Sequence, residues 1–148
     1  MARMKIIFDG FNELAEAIDK AGLDLHKAVD EALTETQKII QTNLTNASSA
    51  YAHKGRKGYA TGDMYKHIIK GADIEWRGTV ASVRVGFDLR SGGGFHSIFI
   101  MYGTPSRKNN RGITKDSKIY NAIRGVRTRK QIAEKQEEIM QRYLRLRK

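Results

Sequence analysis

Four histidines, a few carboxylates near a β-rich stretch and one glycine run are the residues here whose types could do chemistry. His26, His53, His67 and His96 are scattered: none forms an i,i+4 pair or a His-Glu-x-x-His run, so the spacing of a zinc site is missing. The chain has no cysteine, which removes thiolate ligands and disulfides alike. A metal-dependent nuclease needs clustered carboxylates at the scissile phosphate. Asp73, Glu75 and Asp88 come nearest, but Asp73 and Glu75 read as the solvated face of a strand. Ser91-Gly92-Gly93-Gly94 lacks the Lys-Ser/Thr pair of a phosphate-binding loop and reads as a turn. The expectation is a protein that is not an enzyme, with no catalytic residue, cofactor or metal.

What remains is charge, and it is uneven. Across 148 residues, 27 Lys and Arg stand against 16 Asp and Glu, a net +11. Fourteen of the basic and only four of the acidic residues fall between Arg107 and Lys148, while the first 104 residues are nearly neutral. Such a patch attracts DNA phosphate or an acidic protein surface, and the sequence leaves both open beside the plainer reading of a solvated face. The candidate interface residues are Arg107, Lys108, Arg111, Arg124 and Arg127, joined by Lys54, Arg56 and Lys57 from an earlier loop. Arg124, Arg127, Arg129 and Lys130 with Tyr120 come closest to the basic–aromatic pattern of a nucleic-acid binder. No helix-turn-helix, zinc-finger or RNP-like string accompanies them. At the far end, Arg142, Arg145, Arg147 and Lys148 suit the negative end of a helix dipole, so part of the charge has a structural reason.

The elements that must carry these residues are set by periodicity. The length fits one domain over 1–148, and 40% apolar residues with a mean hydropathy of −0.54 give it a modest core. No apolar run approaches the roughly 18 residues of a membrane span, and Ile6–Phe8 is too short for a secretory signal. The expectation is a protein made in a cytoplasm with no membrane partner. Phe11 to Asn46 reads as an amphipathic helix with a break near Gly22, its apolar stripe including Leu25, Val29, Leu33, Ile40 and Leu44. The spacing is too irregular to favour a coiled coil.

Thr45 to Gly62 reads as a flexible loop, in which Tyr51 and Tyr59 either anchor an interface or fold back on the body. Thr61 is the expected N-cap of a short helix through Met64, Tyr65, Ile68 and Ile69. Ala72–Trp76 and Val80–Phe87 alternate around Arg77-Gly78-Thr79, predicting a β-hairpin with Val83, Val85 and Phe87 on one side. Phe95 to Tyr102 fits a short helix better than a strand and is stopped by Gly103-Thr104-Pro105. Ser106 to Thr114 is the second flexible loop, and order resumes at Ile119–Ile123. The last helix, roughly Thr128 to Leu146, presents Ile132, Gln136, Ile139, Met140, Tyr143 and Leu144 on one face, with Glu138 supporting Arg142 at i,i+4. The sum is an α+β fold: a long N-terminal helix and a C-terminal helix packed on a small antiparallel sheet, with two flexible loops.

Four strings in order then resemble one family. Phe8-Asp9-Gly10-Phe11-Asn12-Glu13-Leu14 is similar to a "hydrophobic-x-Gly-hydrophobic-x-Glu-Leu" opening. Thr61-Gly62-Asp63-Met64-Tyr65-Lys66-His67-Ile68 looks like a "TG-x-hydrophobic-x-x-S/H-I" block, and Tyr102-Gly103-Thr104 resembles an "aromatic-Gly-Thr" block. Ile119-Tyr120-Asn121-Ala122 sits where a "Pro-Phe-x-x-Pro-Ala"-type string leads into the C-terminal helix. These are features of the gene-product-ten-like tail-completion or head–tail joining proteins of lambdoid-type tailed phages. Met101 departs from the frequent Glu there, and the usual prolines before Thr61 and around Tyr120 are missing. The resemblance covers nearly the whole chain. Thr61, Gly62, Ile68, Tyr102, Gly103 and Thr104 are the residues that carry the family motif. It implies a virion structural protein at the head–tail interface, made in the bacterial host. Its partners would be other head-connector and tail proteins, and it would act as a homo-oligomeric ring, monomeric in solution until assembly. Non-specific contact with genomic DNA is compatible with that role. The alternative from another class is a small basic, non-specific nucleic-acid-binding protein.

Overall fold

Alternation in the middle of the chain builds the sheet. In the computed structural model, which describes residues 2–5, 16, 25–53, 62–90, 92–106, 108 and 111–145, strands β2 (Ile74–Arg77) and β3 (Val80–Val85) pair antiparallel. Arg77 faces Val80, so Gly78 and Thr79 alone make the turn. Gly78 has φ +62°, the left-handed conformation a two-residue hairpin turn needs at its first central position. Ala81, Val83 and Val85 are buried, and Phe87 extends that face beyond the strand. A third strand, β1 (Ala2–Lys5), lies on the other side of β3 with Ala2 opposite Val85, giving the order β1-β3-β2. This strand is additional to the sequence expectations. Ala-Arg-Met-Lys has no strong period of its own, and pairing with β3 supplies what propensity does not.

Helix α1 (Leu25–Ala47) buries Leu25, Ala28, Val29, Ala32, Leu33, Ile40 and Leu44, the three- and four-residue steps of one face. The earlier part of the predicted helix, before Leu25, falls outside the described residues apart from Glu16. Helix α5 (Val126–Arg145) runs antiparallel to α1: Asn43 bonds Gln131, Thr36 bonds Gln136, and Glu31 meets Arg142 and Tyr143. Between them α4 (Ser117–Arg124) inserts Ile119, Ala122 and Ile123 into the same core as Leu33, Val83 and Phe87. The observed fold is the α+β arrangement the sequence implies, with the long helix on a small antiparallel sheet and the C-terminal helix packed against the long helix.

Three expectations need correction. The first concerns the loop from Thr45 to Gly62. It starts later than expected, because α1 runs to Ala47, Ser48 is buried with its hydroxyl on the Leu44 carbonyl, and Ser49–Tyr51 form a 3-10 turn. Tyr51 folds back into the core, only 2% exposed. Tyr59 lies outside the described residues.

The second concerns the short helix. Helix α2 (Asp63–Lys66) is a single turn preceded by Gly62 at φ +82° with no side-chain cap; Thr61 lies outside the described residues. It stops early because the sheet claims the next residues of the chain: Ile68 bridges Phe87, and Ile69 N–H donates to the Gly86 carbonyl. The third concerns Arg142, whose direct partner is Glu31 on α1; Glu138 pairs with Lys135 at 2.9 Å and supports Arg142 only through its charge.

Candidate functional site: a basic corner beside exposed tyrosine

The predicted stop at Gly103-Thr104-Pro105 makes the corner. Helix α3 (His96–Tyr102) ends where Gly103 takes φ +76°. Thr104 then clamps the far side of the adjoining loop twice: its N–H donates to the Ile113 carbonyl (2.9 Å), and its hydroxyl accepts from Ile113 N–H (2.8 Å). Three residues on, Asp116 N–H donates to the Ile100 carbonyl. The two ends of the second predicted loop are therefore stapled together, and α4 begins at a defined place. Asp116 caps it, accepting from Lys118 N–H at 2.9 Å. Thr128 locks α5 onto α4 by donating to the Asn121 carbonyl at 2.9 Å.

That framework brings five side chains into one continuous surface. Lys115 Nζ stands 5.0 Å from the centre of the Tyr120 ring. Tyr120 meets Tyr102 edge-on, 6.3 Å between centres. Tyr102, 56% exposed, shares with Arg124 the wall of a shallow hollow of about 100 Å³ floored by Phe87, Met101 and Ile123. Arg129 Nε donates to the Arg124 carbonyl at 3.0 Å. Arg127, Lys118, Arg111 and Lys108 are exposed in the neighbouring sequence.

The electrostatics separate this corner from α1, β3 and the second half of α5. There cations are matched: Lys38 with Glu35, Arg84 with Glu75, Lys135 with Glu138, Arg142 with Glu31. Lys108, Arg111, Lys115, Lys118, Arg124, Arg127 and Arg129 form no ion pair with any described residue, and Lys130 only reaches Glu134 at 3.8 Å. The single carboxylate between Arg107 and Lys130, Asp116, is committed to the α4 cap and to the phenol of Tyr51. At the opposite end of α5 the arrangement is closed. The Arg142 hydrogen bond holds Glu31 below the usual carboxylate range against the opposing effect of burial, and that same bond raises Arg142. Burial first, then the bond to Glu31, pushes the Tyr143 phenol up.

The residues singled out from sequence thus divide. Gly62 and Ile68 are buried scaffold: a side chain at Gly62 would meet the Ala52 carbonyl at 3.0 Å. Gly103 and Thr104 shape the corner, and Tyr102 is displayed on it. Arg124 lies on it, Arg127 is exposed three residues later in the first turn of α5, and Lys108 and Arg111 are in the loop leading to it; Lys54, Arg56, Lys57 and Arg107 fall outside the described residues. Sequence reasoning missed Lys115, whose only signal was a stretch of nine cations with one carboxylate. It also missed the exposure of Val126 (81%) and Phe95 (49%). The histidines stay apart. His26 packs on Trp76 with ring centres 4.4 Å apart, and no cluster of three or more potential metal ligands is present among the described residues. Nor is any described helix long and apolar enough to cross a membrane.

No protein-family model matches the chain, and no curated protein or solved structure does either.

Proposed function

We propose that this chain is a virion structural subunit of the head–tail junction of a tailed phage, a tail-completion or neck-ring protein that works by contact and catalyses nothing. The observation that supports it most is the Tyr102-Gly103-Thr104 string. The sequence resemblance singles it out, and it fastens α3 to the lead-in of the C-terminal helices while presenting an exposed aromatic. An aromatic flanked by arginine is the composition of interface anchors. A ring subunit needs two different surfaces, because each copy meets its neighbour through a heterologous contact. The α1–α5 side with its matched charges and the basic corner provide two surfaces of different character. The other head-connector and tail proteins are the partners this role requires.

The test is electron microscopy of particles from a phage or induced prophage carrying this gene, with and without its product. Filled heads and tails left unjoined, or tails with ragged ends, are expected when the protein is missing. Normal infectious particles in its absence would overturn the proposal.

A further inference from the structure

We infer that the basic corner binds the phosphate backbone of duplex DNA without reading sequence. The cations that would do so are Lys115, Arg124, Arg127 and Arg129, with the Tyr102 hydroxyl as a neutral donor to phosphate oxygen. The inference goes beyond the head–tail reading, since it concerns a surface that the single chain already displays.

Three observations carry it. The first is continuity without a counter-charge. Lys115 touches Tyr120 and Tyr120 touches Tyr102; Tyr102 and Arg124 line one hollow, Arg129 bonds the Arg124 carbonyl, and the cations of this set have no ion-pair partner among the described residues. Protein surfaces normally intersperse signs, as this one does everywhere along α1 and the second half of α5. A one-sign field of this kind attracts a polyanion.

The second is composition. Protein interfaces place an apolar core at the centre and deplete charge from it. At the corner exposed Val126 lies between Arg124 and Arg127, and cations outnumber the one strongly exposed ring, Tyr102, so charge is not depleted there as it is at the core of a protein interface. Protein–DNA interfaces are polar and strongly positive throughout.

The third is the state of the aromatic rings. Single-stranded nucleic acid is held by open ring faces on which bases stack. Here Lys115 stands over Tyr120, and Tyr102 meets Tyr120 edge-on at an interplanar angle of 72°, so the pair offers no parallel slot for a base. The cations are also preorganised: the Thr104–Ile113 clamp, the Asp116 cap and the Thr128–Asn121 bond fix the backbone that bears them. An ordered cationic surface of this kind suits the regular backbone of a duplex.

The experiment is fluorescence anisotropy of the purified protein with a labelled random-sequence duplex, titrated between about 50 and 200 mM salt. Four phosphate contacts give log K against log salt a slope of about −3.6, and the double variant Arg124→Gln, Arg127→Gln should be shallower by about 1.8. A matched charge removal elsewhere, Lys66→Gln with Lys70→Gln, should leave the slope unchanged; both residues are exposed and distant in sequence from the corner. Circular dichroism of each variant establishes that it is folded. Equal losses from both pairs would overturn the inference in favour of bulk net charge. Polyglutamate binding as tightly as the duplex at the same salt would overturn it in favour of an acidic protein partner. A single strand preferred over the duplex, with the preference lost in Tyr102→Ser, would overturn the duplex assignment. Unjoined particles from the gene deletion together with no DNA binding would leave the head–tail role standing and remove only this inference.

Discussion

Tyr51 and Asp116 meet at 2.6 Å, phenol to carboxylate, across 65 residues of chain. The tyrosine closes the 3-10 turn after α1, and the aspartate caps α4, so one hydrogen bond ties the first helix to the lead-in of the basic corner. It also consumes the only carboxylate between Arg107 and Lys130. That segment keeps its positive field because nine cations stand against this one anion, and the anion is turned to Tyr51 and the α4 cap rather than to any of them.

Tyr51→Phe removes the donor and keeps the ring. The ring is buried, so the packing of Tyr51 survives while the bond to a charged acceptor is lost. The expected cost is about 1.5–3 kcal/mol of folding stability. Urea denaturation of Tyr51→Phe, Asp116→Asn and the double variant measures it. The coupling should appear as a double variant less destabilised than the sum of the singles, and simple additivity would show that the bond contributes nothing.

Gly103 and Gly71 differ in surroundings and in backbone, since Gly103, with ψ 172°, lies in a region essentially reserved for glycine. Both have positive φ, +76° and +80°, yet an added Cβ at Gly71 meets nothing within 4 Å, whereas at Gly103 it meets the Ile113 carbonyl oxygen at 2.8 Å. Gly71→Ala should cost the left-handed penalty alone, about 1–2 kcal/mol. Gly103→Ala adds a clash inside the Thr104–Ile113 clamp and should lower the urea midpoint further. Equal losses would mean that neither the clash in the clamp nor the glycine-only backbone of Gly103 adds a cost.

Gly103 also marks where sequence was informative. Gly103-Thr104-Pro105 announced the end of α3 because glycine and proline act locally, and the hairpin was readable because Val83, Val85 and Phe87 alternate around a two-residue turn. The long stripe of α1 was readable for the same reason. What escaped was whatever depends on a distant partner. Tyr51 gives no local sign of whether it faces solvent or core. β1 exists through its register with β3. Arg142 has a sequence-local carboxylate in Glu138 but takes Glu31, 111 positions away, because the antiparallel packing of α1 and α5 brings that group closer. The corner was half legible: the density of cations was visible, and their lack of counter-charges was not.

The Glu31–Arg142–Tyr143 cluster should give stability a dependence on pH at both extremes. Glu31 is held below its ordinary value in the fold, chiefly by the Arg142 hydrogen bond. A carboxyl lowered on folding stabilises above its unfolded value, and that contribution is lost as pH falls through the lower, folded value. Tyr143 is raised, first by burial and then by its bond to Glu31. Its contribution is complete below the ordinary phenol range and is lost as pH rises through the folded value. Glu31→Gln should therefore narrow its stability gap to the wild type on acidification and in high salt, because the pair is largely exposed. Thermal melts from neutral to acidic pH measure the gap, and a gap independent of pH would show that Glu31 contributes packing alone.

Arg127 should place stability and binding in opposition. Helix α5 starts at Val126, with the first backbone bond from Arg129 N–H to the Gly125 carbonyl, and its first turn contains no acidic residue. Arg127 therefore sits at the positive end of the helix dipole, where a cation is unfavourable and a carboxylate favourable. It has no carboxylate partner among the described residues to offset this. Arg127→Glu should raise folding stability by about 0.3–1 kcal/mol while weakening duplex DNA binding and flattening its salt dependence. A residue kept for the fold would behave otherwise, losing stability when reversed in charge. Urea denaturation and anisotropy on the same preparation decide between the two: a rise in stability with a fall in binding identifies a cation held at an unfavourable place for the sake of a partner, and a fall in both returns Arg127 to the scaffold.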